Sequence, residues 1–138
     1  MAEQEAASMV TRVFVYGTLK AGMASRHLVK PYLVETRPAV ARGLLYDLPC
    51  GYPAMVPGEG TVHGELLTLR RAERALQVLD CLEDFHGPGH AGNLYERVRT
   101  RVVTAEGEEC EAWVYYWARP HELPALGRLL PGGRWPPP

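Results

Sequence analysis

The chain has 138 residues, 46% of them apolar and 22% charged, with a formal net charge of −1. That length fits one domain able to bury a core without disulfide or metal staples. The charge balance supplies no overall field toward nucleic acid or an anionic membrane, and no stretch approaches the roughly 20 apolar residues of a spanning helix.

In chain order, residues 1–10 (MAEQEAASMV) carry Glu3 and Glu5 and no long apolar run, so they read as a flexible tail rather than a signal peptide. VFVY, Val13 to Tyr16, is a strand too continuously apolar to have a wet face. It stops abruptly at Gly17-Thr18. A plain turn is one explanation; a place where backbone amides meet a ligand is the other. Ser25 is positioned to cap a short helix over Arg26 to Leu33, closed around Pro31. Gly43 to Leu48 and Tyr52 to Val56 read as strands about the turn Pro49-Cys50-Gly51. Pro57-Gly58-Glu59-Gly60 reads as another turn, and Val62 to Leu69 as a strand interrupted by Gly64.

Arg71 to Asp84 is the clearest helix. At about 100° per residue, Ala72, Ala75, Leu76, Leu79 and Leu82 gather into one apolar stripe, with Glu73, Arg74, Gln77 and Asp84 opposite. Glu83 breaks the pattern. It falls near the middle of the stripe, where burial strips a carboxylate of its hydration. Two readings are open: Glu83 frays from the helix end or pairs with a core arginine, or it is a desolvated carboxyl group poised near neutrality as general acid and base. Asp80, at the edge of the stripe, either supports such a site or serves the surface.

HGPGHAGN, His86 to Asn93, is a glycine-rich loop, either a mobile flap or a slack connection. Leu94 to Val103 and Cys110 to Trp117 read as a hairpin across Ala105-Glu106-Gly107-Glu108. Arg97, Arg99 and Arg101 share one strand face. Arg97 either meets a substrate carboxylate or belongs to a solvated basic ridge, and the ridge lacks the wider basic patch of a nucleic-acid module. Residues 119–138 form a proline-rich tail expected to pack loosely or extend, with one helical turn near Leu126 to Leu130. The three cysteines and five histidines are scattered, which argues against a disulfide framework or metal site and for a cytoplasmic setting. Mostly strands with one good helix, residues 11–118 read as an α+β domain with a strongly curved or barrel-like mixed sheet.

VFVYGTLK, GYPAMV, LDCLED, LYERV and AWVYYW, in that order from about Val13 to Tyr116, resemble the γ-glutamylcyclotransferase-like family. The nearest branch is its short form, the AIG2-like γ-glutamylamine cyclotransferases and their bacterial relatives. The resemblance implies a compact mixed β-barrel-like sheet with few helices. It also implies an enzyme of the acyltransferase or lyase class, without cofactor, acting on a small-molecule γ-glutamyl substrate; neither nucleic acid nor membrane is an expected partner, and the oligomeric state stays open. Family members release 5-oxoproline when the substrate's own α-amine attacks its γ-carbonyl, so no serine or cysteine nucleophile is needed. By match of motif, the glutamate closing LDxxE is Glu83, the expected acid/base. The loop that holds the γ-glutamyl group is Tyr16, Gly17, Thr18 and Leu19. Tyr115 matches a tyrosine near the pocket, with a plain core aromatic as the alternative. A non-catalytic small-molecule-binding protein of the same fold is the alternative expectation for the whole chain. The His86–Asn93 loop and the tail are the least family-like parts, so the amine half of the substrate is left unnamed.

Overall fold

The computed structural model describes residues 12–137, so the expected flexible stretch 1–10 lies outside the described residues. Strand β1 (Arg12–Val15) leads through a turn into two 3₁₀ turns, Arg26–Leu28 and Lys30–Tyr32. Two long strands follow, β2 (Leu33–Asp47) and β3 (Pro53–Leu69), then helix α1 (Ala72–Leu82). The chain continues with β4 (Tyr95–Thr104), β5 (Glu109–Trp117), α2 (Leu123–Leu126) and β6 (Arg128–Leu129). The sheet order β3-β1-β5-β4-β2-β6 closes on itself because β2 also pairs with β3. All pairs are antiparallel except β1 with β5, which meet in parallel at Val13 and Trp113. This is the expected α+β class: a barrel-like mixed sheet with few helices. Among the described residues no helix is long and apolar enough to cross a membrane.

Closure explains the continuous apolar run of β1. Successive side chains of a strand point to opposite faces, and here both faces are covered. Phe14 joins Leu66, Val102 and Val114 in a cluster drawn from all five barrel strands and from neither helix, which fills the interior. Val13 and Val15 join Ala75, Leu76 and Leu79 of α1 in a second cluster on the outside. Gly64 lets β1 cross β3 closely: a Cβ there would lie 2.2 Å from the carbonyl oxygen of Val15.

Four local expectations are corrected. Instead of a helix over Arg26 to Leu33 there are two 3₁₀ turns, and Ser25 makes no side-chain cap bond. Pro31 removes an N–H from the middle of that stretch, which an α-helix would need. Strand β2 begins at Leu33 rather than Gly43; its outward polar residues and Pro38 hide the alternation of buried Ala39 and Ala41. Pro57 to Gly60 is not a strand-ending turn. It bulges within β3, with only Gly43 opposite, between the pairs Arg42–Thr61 and Leu44–Val56, a device that bends a strand toward closure.

The tail is the fourth. Residues 120–137 pack rather than trail: Leu123 is fully buried, and β6 pairs Arg128 and Leu129 with Asp47 and Tyr46 of β2. His63 donates its amide to the Gly133 carbonyl at 2.8 Å, and the Trp135 indole donates to Asp47 at 2.9 Å. The helical turn lies at Leu123–Leu126, ahead of its expected place, and stops at an extended Gly127. Prolines prevent long elements here, but they do not prevent leucines from burying.

Candidate active site

Beyond β1 the chain turns sharply, and the turn is wired by its carbonyls. The Gly17 carbonyl accepts from Lys20 N (3.1 Å) and that of Thr18 from Ser25 N (2.8 Å). The Leu19 carbonyl accepts from Arg26 Nη1 (3.2 Å). None of the Gly17, Thr18 and Leu19 amides donates to an acceptor among the described residues. In a trans peptide N–H and C=O point oppositely, so the tied Gly17 and Thr18 carbonyls turn the Thr18 and Leu19 amides away from the partners of those carbonyls. Gly17 is held close by Pro53: a Cβ would meet the proline ring at 2.7 Å.

Arg26 fastens this loop to the barrel. Besides Leu19 O it donates to Glu65 Oε1 on β3 (2.9 Å) and to Thr36 Oγ1 on β2 (2.9 Å). Glu65 in turn accepts the Ala21 amide at 3.1 Å.

The other wall begins where α1 ends. Glu83 is the residue that closes the helix, and its amide still bonds to Leu79 O at 2.9 Å. Asp84 follows in the left-handed conformation, with φ 54°. The bonds Phe85 N to Asp80 O (2.9 Å) and Asp84 N to Cys81 O (3.3 Å) complete a Schellman closure. Glu83 therefore does not fray. Its carboxyl group has neither hydrogen bond nor ion pair among the described residues, and burial pushes its pKa up to about 7.

Both walls line one cavity of about 260 Å³. The residues assigned to the site by resemblance all border it: Glu83, Tyr16, Gly17, Thr18, Leu19 and Tyr115. The two tyrosines have their hydroxyls committed. Tyr16 donates to the Tyr115 carbonyl at 2.5 Å and accepts from Met55 N at 3.3 Å, bracing β1 against β5 and β3. Tyr115 donates to Asp80 Oδ1 at 2.7 Å. Burial raises the pKa of both phenols, as it does for Tyr95, whose hydroxyl donates to Pro53 O at 2.8 Å. The Tyr52 phenol is pushed up to about 12, first by its hydrogen bond with Cys50 and then by burial. All four stay protonated around neutral pH, where the Glu83 carboxyl group is pushed into its titration range.

Arg97 is not in the cavity wall. Its guanidinium forks onto Asp80 (2.7 and 3.0 Å) and lies over the rings of Trp113 and Phe85. Asp80 is thus a bracket between Tyr115 and Arg97. Arg99 and Arg101 pair with Glu111 (3.5 Å) and Glu109 (3.0 Å), so the ridge is lined by its own counter-charges. The His86–Asn93 loop does not border the cavity. Buried Asn93 ties it down, accepting from His86 N (2.6 Å) and donating to Gly87 O (2.8 Å) and Glu96 (2.9 Å). Among the described residues no group of three His, Cys, Asp or Glu side chains is placed to hold a metal ion.

Ser25, Leu82 and Leu94 also line the cavity. A serine before a 3₁₀ turn and two leucines at element boundaries carry no chemical signature in a single sequence. The apolar stripe of α1 held the only signal, since Leu82 is its last member.

The family model described as γ-glutamyl cyclotransferase, AIG2-like, matches residues 13–137, a span that takes in the packed segment after 119. Over 107 residues the chain is 33% identical to a protein of Niallia circulans named γ-L-glutamyl-butirosin B γ-glutamyl cyclotransferase, covering 78% of this chain and 67% of that one. The solution structure of protein ytfP from Escherichia coli is 32% identical with a TM-score of 0.57, covering 91% of this chain and 96% of that one. An AIG2-like protein from Mus musculus, 24% identical, shares the fold with a TM-score of 0.62 over 79% of this chain and 78% of that one.

Proposed function

This chain belongs to the γ-glutamyl cyclotransferase, AIG2-like family, and from that premise we propose that it releases 5-oxoproline from γ-glutamyl amines or amides, with Glu83 as general acid and base. The observation that carries the reading is a residue whose carboxyl group has no partner, lining the same cavity as three residues whose amides have no acceptor among the described residues. The Gly17–Leu19 amides hold the substrate's α-carboxylate or stabilise negative charge growing on the γ-carbonyl oxygen, as preorganised donors do. Glu83 takes a proton from the α-ammonium. The freed amine attacks the γ-carbon, forming the ring C–N bond; Glu83 returns the first proton to the leaving nitrogen as the bond to it breaks, and the second proton shed by the ring nitrogen passes to the departing amine, which leaves as an ammonium. No water is consumed.

The nucleophile is tethered to its target, and well-oriented intramolecular attack accounts for roughly 7–11 kcal/mol of barrier. Proton transfer by one carboxyl group near neutrality adds about 10²–10⁴-fold. Tyr115, fixed by Asp80, and Tyr16 shape the floor on which the glutamyl chain curls. A reducing cytoplasmic setting fits the three free cysteines.

The test is a panel of γ-glutamyl amines and dipeptides assayed for 5-oxoproline, with Glu83→Gln alongside. The variant is expected to fold and to lose at least about 10²-fold in turnover. Full activity in Glu83→Gln contradicts the mechanism; tight binding of the panel without 5-oxoproline marks a binding protein instead.

A further inference from the structure

A γ-glutamyl group brings one carboxylate and one ammonium, and under the reading above the Gly17–Leu19 amides and Glu83 meet them. The rest of the wall carries no charge. Among the described residues lining the cavity there is no Lys, Arg or His, and no acid besides Glu83. Tyr16, Leu19, Pro53, Tyr95 and Tyr115 are buried and form the deep part. The more exposed part carries three large side chains with apolar bodies, Leu82 at 38% exposed and the partly exposed Leu94 and Tyr52, beside the small uncharged Thr18, Ser25 and Gly51. Leu82 immediately precedes Glu83 at the end of α1, and Leu94 immediately precedes Tyr95 at the start of β4. An exposed leucine at the mouth of a cavity gains by being covered. The leaving nitrogen takes its proton from Glu83, so the group it carries lies beside these side chains.

We infer that the amine half released by this site carries an uncharged, apolar alkyl or aryl substituent, seated on Leu82, Leu94 and Tyr52. The inference rests on the cyclotransferase reading and narrows it. An amino acid as leaving half sets its carboxylate on the carbon next to the scissile nitrogen. There it faces Glu83 with no cation in the wall, and like charges in a poorly solvated site oppose each other. A diamine brings a second ammonium that has no carboxylate left to meet, and it loses hydration against leucine.

The experiment measures kcat/KM for 5-oxoproline release from four compounds: γ-glutamyl-n-butylamine, γ-glutamylbenzylamine, γ-glutamylglycine and γ-glutamyl-1,4-diaminobutane. The first two are expected to exceed the last two by roughly 10- to 10²-fold, the range a hydrophobic contact surface discriminates. Leu82→Lys, which sets a cation at the mouth, is expected to narrow the gap with γ-glutamylglycine by about 10-fold. The comparison on the unaltered protein decides the matter should that variant not fold. Equal rates on all four compounds, or preference for either charged one, overturn the inference and leave the cyclotransferase reading standing. Absence of 5-oxoproline from every γ-glutamyl compound overturns that reading and the inference with it.

Discussion

Glu83 combines a fixed backbone with an unpartnered carboxyl group. The Schellman closure of α1 holds its main chain, while desolvation raises its pKa to about 7. Near neutral pH both protonation states are populated, which a group that takes and returns one proton requires. If Glu83 is the base, kcat/KM on a γ-glutamyl amine falls as pH drops below about 7, well above the acid limb of about 4 that an ordinary glutamate would give. A pH–rate profile checks this directly. The raised pKa also has a stability consequence of definite sign. The folded protein keeps this proton up to about pH 7, whereas the unfolded chain releases it near the ordinary value of 4.5. Stability contributed by the protonated group is therefore lost as pH rises from 4.5 through about 7, and stays lost above. At 1.36 kcal/mol per pH unit the effect is at most about 3 kcal/mol, since the cavity admits some solvent. Glu83→Gln, uncharged throughout, is expected to melt higher than wild type at about pH 8 and to converge on it in acid. Thermal melts across pH decide it, and a constant offset would mean a well-solvated carboxyl group.

At the scale of elements, the Gly17–Leu19 turn depends on residues outside the cavity. Arg26 reaches three acceptors, on the loop itself, on β2 and on β3, and Glu65 adds the Ala21 amide. Nothing in the sequence around Arg26 marks this, because the acceptors are brought together only when β2 and β3 pair. The YGTL box was legible because an apolar strand ended on glycine, and Glu83 because it interrupted a helical stripe. A fork joining three elements leaves no such periodic trace. Removing it frees the loop while Glu83, on α1, is untouched. Arg26→Ala is expected to raise KM about 10-fold with a smaller change in kcat, and to destabilise by about 1.5–3 kcal/mol, the range for hydrogen bonds to charged groups. Arg26→Lys is expected to recover little of the KM, since one ammonium cannot span what a planar fork spans. Steady-state kinetics on both variants read the split; restoration by lysine would reduce the role of Arg26 to its charge.

At the scale of the whole molecule, the barrel was legible in outline and its closure was not. The buried first strand, the β4–β5 hairpin and α1 announce themselves through period and turn residues. The front of β2 and the last segment do not, because polar outer faces and prolines conceal residues that are buried only in the closed structure. Residues 119–137 show what that concealment hides. Leu123 packs into the outer cluster beside Val29 and Leu48, and Leu130 joins the barrel interior beside Leu45. The same segment adds β6 to β2, and its Trp135 carbonyl accepts from Lys20, directly after the Gly17–Leu19 turn. Burying two leucines contributes roughly 3–6 kcal/mol, a large share of the stability of a domain this size. A chain ended after Ala118 lacks both leucines and uncovers the residues they pack against, opens the edge of β2 and releases the Lys20 end of the turn after β1. It is expected to unfold at markedly lower denaturant concentration, or to lose its cooperative transition, and to aggregate through the uncovered strand. Restoring residues 119–130 alone returns the leucines and β6 but not the Trp135 contacts. That longer truncation is expected to regain most of the stability while keeping a raised KM, and denaturant melts paired with kinetics separate the two effects. A truncation after Ala118 as stable as the full chain would show that the segment is dispensable.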